Sequence, residues 1–358
     1  MQEPIQASLC KNLNFHLSVH QTLIDNPPQG VEYSFINSRF SSNDFPLNPI
    51  NLGYFFNPKE IIHSNGVHVV NKTPWVCDFE DLSYFYGAKR NITNWKLNIS
   101  KKFFSSPHCK KLIAMSEFAK QSMEEKIKEK QILDKIEVNY PTIPVPLRRD
   151  NPCTISDGAE IKKPTNKIPT LIYAARSFER KGGKDVLKVF DALNKKLDFN
   201  LIFIGDIPKE IKQKYENNKN IEFFDVLPRT QVQEHLQNSD VFLLPTLADT
   251  IPVTIFEAFA NQLAVVTTSS KHNPVAKELI EDGKTGMLVS QKENPKPLPA
   301  YAKENNLSEL IEKTKLLLED SSLRKNIARN AFNEISSGKF AYNKRIEKLR
   351  EVYEQALH

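Results

Sequence analysis

The second half of the chain alternates short apolar segments with longer amphipathic ones. The apolar segments, which predict buried strands, lie near residues 170–175, 200–205, 221–226, 240–245, 263–268 and 286–289. The intervals between them repeat apolar residues with the period of about 3.6 that is typical of helices. After the first strand, one helix face would carry Val186, Leu187, Phe190 and Leu193. Strands that alternate with helices predict βαβ units and a parallel sheet, whose ligands bind beyond the carboxyl ends of the strands.

The first 165 residues show a less regular pattern. Asn14–Phe35 predicts a strand, a proline turn and a second strand, and further strands are expected within Glu60–Gly66 and Pro74–Asp81. Lys111–Lys120 predicts a strand followed by Ser-Glu and a helix. Pro141–Pro169 is rich in proline and polar residues and has no apolar periodicity, which predicts a linker between two domains.

Composition agrees with a globular protein of more than one domain. A length of 358 residues favours about two domains, and 40% hydrophobic with 26% charged residues is typical of a soluble chain. The apolar runs are far shorter than the roughly 20 residues that a membrane-spanning helix needs. The N-terminus lacks the pattern of a secretory signal, so we expect a cytoplasmic protein.

The cysteines give no indication of a metal site or a disulfide framework. Cys10, Cys77, Cys109 and Cys153 are widely separated in sequence, and none has a histidine nearby at the spacing of a metal site. We therefore expect reduced, mostly structural thiols.

Candidate chemistry is concentrated first in Leu244–Ala260, which places Asp249 and Glu257 eight residues apart. The segment predicts a buried strand, a loop and a helix that begins near Ile251, with Pro252 in its first turn. The unpaired N–H groups of a helix start favour an anion such as a diphosphate. Glu257, farther along the helix, can accept hydrogen bonds from paired hydroxyls such as those of a ribose. The alternative is an ordinary helix cap with a surface glutamate.

A second candidate lies in Thr170–Phe190, where a predicted strand is followed by Arg176, Arg180 and Lys181 and then by two glycines, Gly182 and Gly183. Arginine can bind two phosphate oxygens, lysine adds a compact charge, and glycines allow the backbone to approach a ligand closely. A basic surface loop is usually only solvated. Its occurrence beside a second anion site favours phosphate binding.

These segments, in order, resemble the nucleotide-sugar domain of the retaining glycosyltransferases of the GT-B fold, most closely the family 4 type (glycosyl transferases group 1). The matching motifs are Arg176–Gly183, Gly205, Asp249–Ala260 and Glu278–Gly286. The resemblance covers about residues 168–358. It implies an α/β fold of two Rossmann-like domains that face a cleft, with a C-terminal helix, Phe340–Leu357, that crosses back to the first domain.

The resemblance also implies roles for individual residues. Asp249 would contact the transferred sugar and Glu257 the nucleotide ribose, while Arg176 and Lys181 would hold the diphosphate. The remaining donor contacts would come from Gly182, Thr250, Ile251, Pro252 and Val253. The chain departs from the family pattern at Ala175, which replaces a glycine, at Asn261-Gln262, and at Asp249, which replaces a glutamate. Because aspartate is one methylene shorter, this last change bears on the choice of donor sugar.

The domains expected from the resemblance are residues 1–165, an acceptor-side domain with the linker from about 141; residues 166–339, the nucleotide-sugar domain; and residues 340–358, the crossing helix. The first domain looks shortened, because its start lacks the glycine-rich loop of many relatives. His63 matches a histidine that opens the acceptor side. Asp78 and Glu80 stand where many relatives carry a histidine that touches the donor sugar, so all three are candidates for the acceptor or sugar side.

The net charge of +6 is unevenly distributed, and Lys89–Lys111 holds seven basic residues with no acid. The segment also contains Trp95, Phe103 and Phe104. Such a stretch suits peripheral contact with an anionic membrane or an anionic glycan. The alternatives are a solvated helix with a packed aromatic face and, less favoured because no known module is visible, a nucleic-acid surface.

The function implied by the resemblance is transfer of a sugar from a nucleotide diphosphate donor to a hydroxyl acceptor, with retention, in glycan or glycolipid synthesis at the inner face of the membrane. No Asp-x-Asp sequence of metal-using relatives is present, so we expect neither a metal nor a cofactor beyond the donor. The alternatives are a sugar-nucleotide-binding protein without transfer activity and a different GT-B chemistry, such as epimerisation or phosphorolysis.

Overall fold

The computed structural model of the chain describes residues 3–11, 17–37, 50–86, 91–145, 168–271, 273–292 and 304–358. The chain divides into two units: unit 1 comprises Met1–Thr142 with Tyr342–His358, and unit 2 comprises Ile143–Ala341. Most of the predicted linker, from 146 to 167, lies outside the described residues.

The strands of the described residues are β1 (Ile5–Lys11), β2 (Val31–Asn37), β3 (Leu52–Gly53), β4 (Ile61–Asn65), β5 (His68–Val69), β6 (Trp75–Phe79), β7 (Cys109–Ala114), β8 (Ile136–Val138), β9 (Thr170–Ala174), β10 (Asn200–Ile204), β11 (Ile221–Phe224), β12 (Val241–Leu244), β13 (Ala264–Ser269) and β14 (Met287–Ser290). The helices are α1 (Leu17–Asp25), α2 (Asn94–Phe104), α3 (Glu117–Glu124), α4 (Lys130–Leu133), α5 (Gly183–Leu193), α6 (Lys209–Lys214), α7 (Arg229–Gln237), α8 (Val253–Ala260), α9 (Ala276–Leu279), α10 (Leu307–Glu319), α11 (Ser321–Ser336) and α12 (Tyr342–Leu357), with a 3-10 helix at Leu82–Phe85.

Unit 1 is built on a six-stranded sheet in the order β2-β1-β4-β6-β7-β8, and every recorded pairing in it is parallel. β3 and β5 form a separate two-stranded sheet. Counted along the unit, the large sheet begins in the order second, first, third, which is the arrangement of a doubly wound sheet.

The first helix of unit 1 differs from the sequence prediction. The strand expected at the start of Asn14–Phe35 is wrong, because Leu17–Asp25 is helix α1. Val19 and Leu23, four residues apart, are both buried on one side of α1, which is helical spacing. The proline turn and the second strand are present, since β2 begins at Val31.

The C-terminal helix α12 belongs to unit 1. Leu349, Val352 and Tyr353 are buried in the same cluster as Leu9 and Val76 from the sheet. The helix begins at Tyr342, two residues after the predicted start. Hydrophobic burial of one face therefore fixes the last element of the chain onto the first sheet.

Unit 2 contains a six-stranded parallel sheet in the order β11-β10-β9-β12-β13-β14. Counted along the unit this is 3-2-1-4-5-6, the order of a Rossmann fold. All six strands lie where the apolar segments predicted them, and every residue of β9, β12 and β13 is buried. The strand order reverses between β9 and β12, so the loops that follow these two strands flank the switch point at which such sheets bind ligands.

Candidate active site at the switch point of unit 2

The loop after β9 carries the predicted phosphate-binding residues and approaches the end of β12 closely. Gly182 has φ +77, and a Cβ built there would lie 2.0 Å from the carbonyl oxygen of Pro245. A side chain at Gly183 would collide with the ring of Phe178, at 2.4 Å. Only glycines allow this approach, and α5 begins at Gly183 as a result.

Hydrogen bonds join the loop after β9 to the loop after β12. The backbone N–H of Leu247 donates to the carbonyl of Arg180 at 2.8 Å, and the Arg180 guanidinium donates to the carbonyl of Ala248 at 3.0 Å. Asn305, which lies in no motif, donates to both the Pro245 carbonyl at 2.8 Å and the Asp185 carboxylate at 2.9 Å. The segments that carry the candidate residues are thus held together.

The structure brings Lys181 and Asp249 into direct contact. Their ammonium and carboxylate form an ion pair, and the side chains are only 16% and 9% exposed. Arg176, at the start of the same loop, is exposed. A cation and an acid that were predicted to bind different parts of one ligand therefore meet at the same position.

The helix after β12 begins slightly later than the sequence predicts. α8 starts at Val253 and Pro252 is its N-cap, not a first-turn residue. The N–H groups of Val253 and Ile255 donate to the carbonyls of Ile251 and Pro252, both at 2.9 Å. Ile251, Pro252 and Val253 are buried, whereas Thr250 is half-buried. The helix start still follows the strand in sequence, after the loop 245–252, which is the order of an anion site beyond a strand end.

Glu257 is buried on α8, which contradicts the alternative of a surface glutamate. It is 8% exposed, and its carboxylate lies 3.4 Å from the Nε of Arg229, the first residue of α7. Burial raises the pKa of Glu257, and the charge of Arg229 partly offsets that rise. Sequence reasoning missed Arg229, although its place at the helix start after β11 puts it at the ligand-binding edge of the sheet.

The unit 1 candidates His63 and Asp78 form a buried polar network. The Asp78 carboxylate lies 3.1 Å from Nε2 of His63 and 3.4 Å from Nε2 of His20. On its other side, His63 shares a hydrogen bond of 2.6 Å with the hydroxyl of Tyr353. That hydroxyl is also 2.9 Å from the hydroxyl of Tyr33. The network joins α1, β4 and β6 to α12.

This burial changes the interpretation of the acceptor-side candidates. His63 and Asp78 are each 1% exposed and Glu80 is 5% exposed. Burial by itself would raise the pKa of Asp78, but contacts with His63, together with His20, outweigh it and hold the pKa well below its usual range. In the structure, the His63 ring and the Asp78 carboxylate face one another and are buried inside unit 1, and their contact with a sugar stays a prediction.

The segment 89–111 of unit 1 exposes fewer basic side chains than its sequence suggests. Lys89 and Arg90 lie outside the described residues. Lys96 is buried and donates to the Asn91 carbonyl at 3.0 Å, and Lys101 pairs with Glu129 at 2.9 Å. Lys111 lies 3.7 Å from Glu137. Lys102 is exposed and Trp95 is 51% exposed, whereas Phe104 is buried.

Three of the cysteines are free and buried: Cys10, Cys77 and Cys109. Burial raises the pKa of Cys77 to about 12, so its thiol stays protonated at neutral pH. Cys153 lies outside the described residues. Across the described ranges, we find no group of three or more histidine, cysteine or acidic side chains that could hold a metal ion. None of the helices that the structure describes combines the length and the apolarity needed to span a membrane.

Comparison with known proteins identifies the fold and family. The sequence pattern of the family described as glycosyl transferases group 1 matches residues 158–334. An uncharacterized glycosyltransferase of Haemophilus influenzae is 27% identical over 231 residues, which cover 62% of this chain and 55% of that protein. The N,N'-diacetylbacillosaminyl-diphospho-undecaprenol alpha-1,3-N-acetylgalactosaminyltransferase of Campylobacter jejuni is 30% identical over 167 residues, which cover 46% of this chain and 40% of that protein. The matched segments thus span about half the length of these relatives.

The fold is also that of a solved structure. Anabaena HepE, crystallised in complex with UDP and glucose, superposes with a TM-score of 0.63 at 13% identity, and the match covers 98% of this chain and 99% of HepE. Such low identity speaks for the fold alone. Through residues 158–334 the chain belongs to the glycosyl transferases group 1 family, and it has the two Rossmann-like domains of the GT-B fold.

Proposed function

We propose that the protein is a glycosyltransferase that moves a sugar from a nucleotide diphosphate donor to a hydroxyl acceptor. The observation that supports this most is the contact between Lys181 and Asp249 at the switch point of a Rossmann-type sheet. A cation and a carboxylate are there held beside a helix start, with a buried glutamate, Glu257, farther along the helix. These are the groups that a diphosphate, a sugar and a ribose require.

The chemistry depends on stabilising the leaving group. As the bond between sugar and phosphate breaks, negative charge grows on the diphosphate, and fixed positive groups stabilise that charge more in the transition state than before it. Arg176, Lys181 and the partial positive charge at the start of α8 would supply this stabilisation. We therefore propose that transfer needs no divalent metal. Retention of configuration is likewise a proposal, supported by the family resemblance.

Donor binding must rearrange the site. Lys181 can bind a phosphate oxygen only if it leaves or shares Asp249, and the freed carboxylate could then accept a hydrogen bond from a sugar hydroxyl. Glu257 would accept hydrogen bonds from the ribose in place of Arg229. The ligand thus replaces ion pairs that are already present, so the acids do not have to be desolvated anew.

The decisive experiment is a thermal-shift panel of UDP, GDP, ADP and their sugars, followed by a transfer and donor-hydrolysis assay with the best ligand. A ligand that binds the native state raises its stability in proportion to RT ln(1 + [L]/Kd). UDP comes first, because HepE was crystallised with UDP and glucose. If no nucleotide or sugar nucleotide in the panel shifts the melting temperature, the proposal is wrong.

The runner-up function is a sugar-nucleotide-binding protein without transfer activity. The observation that favours it is that residue 249 is an aspartate, one methylene shorter than the family's glutamate, and that its carboxylate is already paired with Lys181. Binding of a sugar nucleotide without either hydrolysis or transfer would support this alternative. Release of free nucleotide in proportion to a glycosylated product would exclude it.

We also propose that the acceptor is a glycan or a lipid-linked sugar and that the protein works in the cytoplasm, at the inner face of the membrane. The Campylobacter jejuni relative carries an undecaprenol-linked acceptor in its name. Buried free thiols agree with a reducing compartment. The exposed Trp95 and Lys102 on α2 would make the membrane contact.

A further inference from the structure

The turn that carries Arg176 contains a strained residue. Ser177 has φ +65, a left-handed conformation that costs a non-glycine residue free energy. Such a conformation persists only where surrounding contacts hold it. Ser177 directly follows Arg176, the residue predicted to bind the phosphate. The contacts that hold Ser177 therefore also fix the direction in which the backbone leaves Arg176.

Asp206 supplies the holding contacts. It follows β10, and its two carboxylate oxygens accept separate hydrogen bonds from the backbone N–H groups of Ser177, at 3.0 Å, and Phe178, at 3.1 Å. The neighbouring Gly205 permits this approach, because a Cβ there would lie 2.2 Å from the carbonyl oxygen of Ala175. One side chain from the adjacent strand end therefore caps the turn after β9.

The constraint passes from this turn to Lys181. The carbonyl of Ser177 accepts a hydrogen bond of 2.9 Å from the N–H of Lys181, and the carbonyl of Phe178 accepts one of 2.8 Å from Gly183. Phe178 is 5% exposed, and its ring lies 6.0 Å from that of Phe203 on β10. The N–H groups of Lys181 and Gly183 thus donate to the turn formed by Ser177 and Phe178. The N–H groups of that turn in their turn donate to Asp206.

We propose that Asp206 is a positioning residue for the donor diphosphate: its carboxylate holds Ser177 in the left-handed conformation and so directs Arg176 and Lys181 toward the ligand. The inference rests on the proposed function and adds a residue to its site. The positioning role also explains why an aspartate lies beside the proposed diphosphate site, where a carboxylate without hydrogen-bond donors would repel the anion. The two N–H groups that Asp206 accepts offset its charge.

Glycine provides the test, because it adopts positive φ without the strain that serine has. We would measure UDP dissociation constants for the parent, Asp206→Ala, Ser177→Gly and the double variant, with the donor KM and kcat where turnover is found. Asp206→Ala should weaken UDP binding by about tenfold, as expected for about 1.4 kcal/mol. The double variant should recover most of that loss, since its turn no longer needs the carboxylate. Asp206→Asn, which keeps one acceptor oxygen, should lie between the parent and Asp206→Ala.

Asp225 is the matched control. It follows β11, the neighbouring strand, as Asp206 follows β10, and its recorded ion pair is with Lys212 and not with the loop after β9. Asp225→Ala should bind UDP like the parent. The same melting temperature for all variants without ligand would show that each is folded. If Asp206→Ala does not fold, the UDP affinities of Asp206→Asn with and without Ser177→Gly are compared in its place.

The outcomes separate the inference from the proposed function. If the parent binds neither UDP nor any other nucleotide of the panel, both are wrong. If the parent binds but Asp206→Ala and Asp206→Asn bind equally well, or glycine at 177 restores nothing, only the positioning role is wrong. Loss of affinity that glycine restores is the result that a purely electrostatic role of Asp206 would not produce.

Discussion

The ammonium of Lys181 and the carboxylate of Asp249 form an ion pair that joins the loop after β9 to the loop after β12. Both side chains are largely shielded from water, so screening by salt weakens this pair less than an exposed one. Each group therefore holds the other in position. In the proposed function, the pair would link the affinity for the diphosphate to the chemistry at the sugar.

The cations of the β9 loop should determine nucleotide affinity. Arg176→Ala and Lys181→Ala should each weaken UDP binding by about 1.5–3 kcal/mol, the range for hydrogen bonds to charged groups. Lys181→Ala should have the larger effect, because it also leaves Asp249 unpaired beside the diphosphate. Isothermal titration calorimetry measures both, with Lys184→Ala as the control. Lys184 is exposed and pairs with Glu179. Parent-like affinity in both Arg176→Ala and Lys181→Ala would remove them from the phosphate site.

Asp249→Asn should separate binding from turnover. The amide cannot neutralise Lys181, so the affinity for UDP should stay the same or rise, whereas kcat should fall because a charged contact to the sugar matters most as charge develops in the transition state. The comparison is UDP affinity by calorimetry beside kcat with the established donor. Asp249→Glu, which restores the missing methylene, tests the same position for donor preference. An unchanged kcat in Asp249→Asn would exclude a catalytic role.

Local patterns were sufficient to predict most of unit 2. The strands near β9 and β12 follow from apolar runs, and the proximity of Lys181 and Asp249 follows from the rule that parallel strands present their carboxyl ends at one edge. The sequence does not predict helix α1, because a helix of nine residues is too short for the spacing of Val19 and Leu23 to distinguish it from a strand. Whether the site residues bind a donor stays a prediction.

The partners of the site residues could not be predicted, since they are distant in sequence and carry no local pattern. Arg229 reaches Glu257 from another helix, and Asp206 reaches Ser177 from another strand. In unit 1, Tyr353 and His63 are 290 residues apart. The motif resemblance suggested acceptor contacts for His63, whereas its burial depends on α1 and α12, which only the folded chain brings together.

Glu257 should make the stability of unit 2 depend on pH. Because burial raises its pKa in the folded chain, the stability it contributes is present below the ordinary carboxyl pKa and is lost as the pH rises through the raised value. Glu257→Gln, which cannot ionise, should therefore gain stability relative to the parent as the pH rises above about 4, the ordinary carboxyl pKa. Scanning calorimetry of both proteins across that range measures the difference. A difference that does not change with pH would contradict the raised pKa.

Removing the charge of Asp78 should destabilise unit 1 strongly. Asp78→Asn leaves His63 and His20 without their buried carboxylate, and the loss of one partner of such a pair costs about 3–5 kcal/mol. Since the pKa of Asp78 is lowered by folding, this cost should be full at neutral pH and should shrink as the pH falls below about 4. Both tryptophans, Trp75 and Trp95, belong to unit 1, so their fluorescence during urea unfolding reports this unit.

Tyr353→Phe offers a milder change in the same network. It removes the hydroxyl that His63 and Tyr33 share and leaves the ring in place, so we expect a loss of about 1–3 kcal/mol from the unsatisfied buried groups. In a double-mutant cycle with Asp78→Asn, the two effects should not add, because both act through His63. Full additivity in urea unfolding would show that Tyr353 and Asp78 stabilise unit 1 independently.

Membrane contact through α2 should depend on few residues. Since Lys96 is buried and Lys101 is paired with Glu129, the charge available to a lipid surface is reduced to residues such as the exposed Lys102 on α2 and the half-buried Lys110 on β7. Each well-placed basic residue contributes about 1 kcal/mol near an anionic bilayer, and Trp95 can enter the interface.

Co-sedimentation with anionic vesicles should therefore fall for Trp95→Ala and for Lys102→Gln with Lys110→Gln. It should be unchanged for the control pair Lys72→Gln with Lys126→Gln, which are exposed elsewhere in unit 1. Salt should weaken the binding, because the Debye length shortens from about 10 Å at about 0.1 M to about 3 Å at about 1 M. Binding that is absent, or equal for neutral and anionic vesicles, would show that α2 is a solvated helix and would favour a soluble acceptor.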